Sequence, residues 1–206
     1  MTKLQTVKKL ISISVISMLL ISCAVRLTDD QRNLLKNELI EMVKVDQVAS
    51  NLPTGKYLDY TEEQWNSFRD SVHTTIKIRV EEMFDKYGFP GYNKMGKEGS
   101  YNFWLLVQHS DKYPEFQKRV LKAMNKEVKK GNAGPGEYAY LYDRIKVKAG
   151  EKQKFGTQVS YDSAGHPFPA VGLIDSANVD NFRKAYNMAP LKDYYEMIIN
   201  FQKAGK

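Results

Sequence analysis

Apolar residues through most of this chain recur at helical spacing, and glycine and proline clusters cut that pattern into separate runs. Side chains three and four positions apart share one face of an α-helix, so each run predicts an amphipathic helix. From Thr28 onward, Leu34, Leu35, Leu39, Met42 and Val43 line one face. Thr28 is the expected N-cap, and Asp29 and Asp30 fall in the first turn, where the helix dipole favours acids. The run fades before Asn51-Leu52-Pro53-Thr54-Gly55, a turn cluster. A second helix opens at Thr61-Glu62-Glu63-Gln64, which reads as a capping box. Its seam of Trp65, Phe68, Val72, Ile76, Val80 and Phe84 is stopped by Tyr87-Gly88-Phe89-Pro90-Gly91. Three more helices are expected near Glu98–Ser110, opened by Gly96, then Pro114–Lys130 and Gly136–Lys148.

Beyond Gly150 the period changes. Phe155, Thr157, Val159 and Tyr161 alternate as in a strand, and Ser163-Ala164-Gly165 marks a turn. The returning arm carries Pro167 and Pro169, which have no N–H for a ladder, so an irregular β-hairpin is expected near 154–173. Asp175–Asn187 and Leu191–Lys203 predict two closing helices. The expectation is a mainly α domain of about seven helices with one hairpin.

Cys23 is the only cysteine, so no disulfide can form within the chain and packing must hold the fold. Its position is also informative. Lys3, Lys8 and Lys9 precede a short apolar run, Leu10 to Ile21, that ends in Leu20-Ile21-Ser22-Cys23. A charged start followed by an apolar stretch too short to span a bilayer is the layout of a secretory signal. The closing residues resemble a lipobox, which implies acylation of Cys23 and cleavage before it. Residues 1–22 are therefore read as a lipoprotein signal peptide and 23–206 as one domain. The expected address is the cell envelope, with the membrane as a partner through the lipid and the domain facing the periplasm or the surface.

Removing the signal takes three lysines from the 31 Lys+Arg, leaving 28 against 24 acids and a balance of +4. So mild a charge, at that address, argues against nucleic acid as a partner. The lysines that cluster at 126–130 and 146–154 read as solvated helix ends and loops.

Four polar segments stand out against the apolar seams. Glu98 and His109 fall on one face of the third expected helix, with Gln108 one step round. Asp143 and Arg144 follow Tyr140-Leu141-Tyr142, Thr157 and Gln158 follow Phe155-Gly156, and His166-Pro167-Phe168-Pro169 follows the hairpin turn. Taken in order, Gly96-x-Glu98-Gly99, Trp104-Leu105, Gln108-His109-x-Asp111, Phe116-Gln117-x-Arg119, Tyr140-Leu141-x-Asp143-Arg144 and Phe155-Gly156-Thr157-Gln158 resemble a bacterial family catalogued as domain of unknown function 6624. The resemblance covers about residues 87–191, with Phe155 where the family often has Tyr. It implies a domain and no particular activity.

The chemistry of these residues leaves three readings open. His109 is the candidate general acid/base, oriented by Asp111 or Asp143, with Arg144 as the fork for a carboxylate or phosphate. Glu98, Gln108, Thr157 and Gln158 are candidate ligand-binding residues. A hydrolase or transferase, a binding protein without turnover, and a structural component docking an envelope partner all fit. The same polar groups also fit a buried hydrogen-bond network that pins the hairpin onto the helices. His73, His109 and His166 lack metal-ligand spacing, so no metal site is expected, and no cofactor is implied. A phosphate-binding glycine loop and a Gly-x-Ser-x-Gly elbow are both missing from the sequence.

Overall fold

Two threonines set the frame of the helical half. In the computed structural model, which describes residues 27–204, Thr28 Oγ1 accepts from the Gln31 backbone at 3.2 Å and Gln31 Oε1 accepts from the Thr28 backbone at 3.1 Å. This box opens α1, Asp29–Ser50. Thr61 and Gln64 repeat it at 3.2 and 2.8 Å and open α2, Glu62–Tyr87, after a single 3-10 turn at Gly55–Tyr57. Gly88, at φ 68°, ends α2 in a conformation that side chains resist.

The third helix begins earlier than its periodicity suggests. α3 spans Tyr92–Gln108, with Gly96 at φ 70° and ψ 175° breaking it into a first turn and a long second part. α4, Pro114–Val128, and α5, Pro135–Lys148, each start on proline, whose missing N–H costs nothing in a first turn. α1 packs against α2 and α3, and α4 against α5. Leu39, Val80, Val107, Val120 and Leu141 are fully buried in one continuous core, which Phe103, Leu106 and Met124 complete. Burying one such side chain stabilises by roughly 1.5–3 kcal/mol. Leu34, on the expected apolar face of α1, is exposed, so the buried stripe is the narrower Leu35–Leu39 line.

The hairpin is shorter than the alternation predicts. β1, Val159–Tyr161, pairs antiparallel with β2, Pro167–Pro169, in the register Val159 to Pro169 and Tyr161 to Pro167. Residues 153–158 do not extend β1, because Asp143 on α5 takes the backbone N–H groups of Lys154, Phe155 and Thr157. Two short helices close the chain, α6 at Val179–Ala185 and α7 at Leu191–Ala204. α6 starts later than expected since Asp175 holds Asn178 in a turn through its backbone N–H at 3.1 Å. No helix among the described residues is long and apolar enough to cross a membrane. Cys23 and the expected signal peptide lie outside the described residues.

Candidate functional site

The last turns of α1 bring an acid into the apolar stripe. Leu35, Leu39, Asp46 and Ala49 are its buried residues, so Asp46 replaces a hydrophobe in the seam and its carboxylate is completely buried. Ser50 lies one turn further along the same face. α2 contributes His73, one turn before the buried Ile76. His109 stands at the C-cap of α3, at φ −85° and ψ 4°, where the chain leaves the helix. The three elements thereby aim a carboxylate, a hydroxyl and two imidazoles at one another.

The distances are short. His109 Nδ1 lies 2.7 and 2.9 Å from the two Asp46 oxygens and 3.1 Å from Ser50 Oγ. His73 Nε2 lies 3.3 Å from Ser50 Oγ and 3.8 Å from Asp46 Oδ1. Gln47 Nε2 donates to Asp46 Oδ2 at 3.0 Å. No lysine or arginine pairs with Asp46 among the described residues. Burial pushes the His73 imidazole below its ordinary value, against the pull of Asp46 and with the help of the facing His109.

Above this floor opens a cleft of about 370 Å³, lined by Ser50, His73, His109 and the charged side chains around them. Arg144 from α5 grips Asp111 with Nε and Nη2 at 2.7 and 2.8 Å, and Lys148 Nζ reaches the same carboxylate at 3.1 Å. Burial raises the Asp111 pKa, yet these cations outweigh it and hold the carboxyl below its usual range. Arg69 is fixed by Nε donating to the Ala49 carbonyl at 2.9 Å, which leaves its two terminal nitrogens for the cleft. Lys112 pairs with Asp70 at the outer edge.

The structure separates the residues that sequence grouped. His109 and Arg144 meet in the cleft, and Asp46 rather than Asp111 or Asp143 orients His109. Asp143 belongs to a second cluster, where it accepts from the backbone of Lys154, Phe155 and Thr157 at 2.9 to 3.2 Å and from Thr157 Oγ1 at 3.1 Å. Burial raises its pKa, and those four donors pull against it. Gln153 extends the cluster, donating to the Gln158 and Ala170 carbonyls at 2.7 Å and accepting from the Gln158 backbone at 2.8 Å. Asp143, Thr157 and Gln158 therefore form the network that pins the hairpin region to α5. Glu98 is exposed and outside the cleft, and Gln108 is buried with its Oε1 unpartnered.

Asp46, Ser50, Arg69 and His73 did not emerge from the sequence. A signal for two of them exists: Asp46 and His73 each interrupt an apolar helical stripe. His166 is exposed beside Asp162 at 3.2 Å, and the expectation of no ligand set rested on spacing along the chain. It does not hold in space for the other two histidines. One ligand atom each from Asp46, His73 and His109 lie within 4.8 Å of one another.

Comparison with known proteins gives one result. The family model described as "Family of unknown function (DUF6624)" matches residues 33–202, and the chain belongs to that family. The match reaches well beyond the segment of resemblance and takes in α1 and α2, which carry Asp46 and His73. No curated protein and no solved structure matched the chain.

Proposed function

We propose that this member of the DUF6624 family is a lipid-anchored envelope protein whose cleft binds a small anionic ligand and hydrolyses it at the Asp46–His109 floor. The observation that carries the reading is a completely buried carboxylate under an imidazole that lines an open cleft, with no lysine or arginine partner among the described residues. A buried acid of this kind is expensive, and packing an apolar side chain there would favour stability. Chemistry gives it a use: a fixed imidazole beside a carboxylate can activate water, and the two terminal nitrogens of Arg69 with Nη1 of Arg144 suit a phosphate or carboxylate.

The test is a set of melts of the full-length chain in detergent with inorganic phosphate, simple phosphate esters and simple carboxylates. A ligand at about a hundred times its Kd stabilises by about 2.7 kcal/mol. The expected result is a saturable rise with at least one anion class that Arg144→Ala abolishes. Turnover of an ester of the same class should then be lost in His109→Ala. If no anion raises the midpoint, or Arg144→Ala responds like the wild type, the reading fails.

The anchor is tested separately. Lys3, Lys8, Lys9 and the apolar run ending at Cys23 support lipidation. Cells fed an alkyne-tagged fatty acid should label the wild-type protein and leave Cys23→Ala unlabelled. Equal labelling of both would remove the lipoprotein reading.

A further inference from the structure

We propose that Asp46, His73 and His109 bind a divalent transition-metal ion at the cleft floor, a site that deepens and rests on the hydrolytic reading above. Three observations converge on it. The donor set is one carboxylate oxygen and two imidazole nitrogens, a mixture suited to zinc, iron, manganese or cobalt. The geometry is close to what such an ion needs: bonds of about 2.0–2.1 Å in a tetrahedral site put neighbouring donors about 3.3 Å apart. Here Asp46 Oδ1 stands 2.9 Å from His109 Nδ1 and 3.8 Å from His73 Nε2, and the three ligand atoms all lie within 4.8 Å of one another, so side-chain adjustment rather than backbone movement completes the set. Third, the charge balance asks for a cation. Among the described residues no lysine or arginine pairs with the fully buried Asp46, and a carboxylate in that position needs positive charge close by.

The surroundings complete the picture. Asp46 and His73 project from long helices and His109 is fixed where α3 ends, so the donors sit on rigid elements. Gln47 Nε2 holds the Asp46 carboxylate from outside, as an outer partner of a metal ligand does. Both imidazole nitrogens converge on Ser50 Oγ, which lines the cleft, so the open side of the triad faces the ligand space. Three protein ligands with an open side is the arrangement of a catalytic metal site, where bound water becomes the nucleophile.

The experiment uses the full-length chain in detergent, stripped with a chelator, dialysed and titrated with Zn²⁺, with Co²⁺ as a spectroscopic probe. Binding of one ion per chain is expected, with visible Co²⁺ bands of a nitrogen- and oxygen-ligated centre. His73→Ala and His109→Ala should each weaken Zn²⁺ by roughly 100-fold or more, since even outer partners are worth 10–100-fold. Asp46→Asn should do the same, and a circular dichroism melt of each variant shows that it is folded. His166→Ala should bind like the wild type. Failure of the wild type to bind, or binding unchanged in both histidine variants, overturns the site. The anion-dependent melts repeated in chelator separate the two proposals. An anion response without metal binding sinks the metal site alone, and metal binding without any anion response sinks the anionic-substrate reading alone.

Discussion

Asp46 Oδ2 and His109 Nδ1 lie 2.7 Å apart although 63 residues separate them in the chain. The contact joins the last turns of α1 to the end of α3, two helices that pack directly against each other. Asp143, the other fully buried aspartate, is satisfied by backbone and threonine donors from a neighbouring segment. The two buried aspartates therefore have opposite jobs, and mutation should separate them.

Asp143→Asn should destabilise. The amide keeps one acceptor oxygen and turns an NH2 toward the backbone N–H groups of Phe155 and Thr157. An unmade buried hydrogen bond costs roughly 1–3 kcal/mol, and each kcal/mol lowers the midpoint by about 2–4 °C at this size. Asp46→Asn should melt at the wild-type temperature or above it, because it removes a buried charge that no lysine or arginine among the described residues balances. Parallel calorimetric melts decide the matter, and a larger loss for Asp46→Asn than for Asp143→Asn contradicts the assignment.

Arg144→Lys tests the fork. Arginine places two nitrogens on Asp111, a geometry that a single ammonium cannot reproduce. The variant should remain folded with Lys148 still on Asp111, lose no more than about 1–2 kcal/mol, and need at least about tenfold more anion for the same rise in midpoint. An unchanged anion response means that Arg144 serves only the ion pair.

Alkaline pH should unfold the protein through its tyrosines. Burial pushes the Tyr138 phenol up to about 12, with Tyr186 and Tyr142 adding to it, and burial raises Tyr195 to about 12 as well. In the unfolded chain both ionise near the ordinary value of about 10. The unfolded state thus releases protons first, so stability is intact below about pH 10 and falls as pH rises toward 12. Denaturant midpoints across that range should drop, and Tyr138→Phe should flatten the drop. Midpoints independent of pH there contradict the burial of these phenols.

Two glycines should respond in opposite directions. Gly96 sits at φ 70° and ψ 175°, a region that side chains avoid, though only Lys36 Nζ lies near a Cβ placed there. Gly96→Ala should cost on the order of 1–3 kcal/mol from backbone strain alone. Gly136 lies in the first turn of α5, with no atom within 4 Å of an added Cβ. Gly136→Ala should stabilise by about 0.4–1 kcal/mol. Chemical denaturation of the pair measures both, and similar effects would falsify the conformational argument.

Local chemistry accounts for what could be read from the sequence. Capping threonines, helical stripes and glycine stops depend on neighbours within four residues, so α1, α2, α4 and α5, the Thr28 cap and the Thr61 capping box are legible in the chain itself. The hairpin's existence is legible too, through its turn and its alternation. Its true length is not, because Asp143 diverts the N–H groups of 154–157 from any ladder, and that contact crosses from helix to loop. The candidate site belongs to the same class of facts. His109, Asp111 and Arg144 could be singled out as polar residues among apolar ones, whereas Asp46 and His73, which meet His109, were chosen by how helices pack. Sequence determined the main apolar stripes and the helix ends set by a cap, a proline or a glycine stop, since those are short-range preferences. Only the tertiary structure decided which carboxylate lies under which imidazole, since burial and electrostatic pairing depend on distance in space and not on separation along the chain.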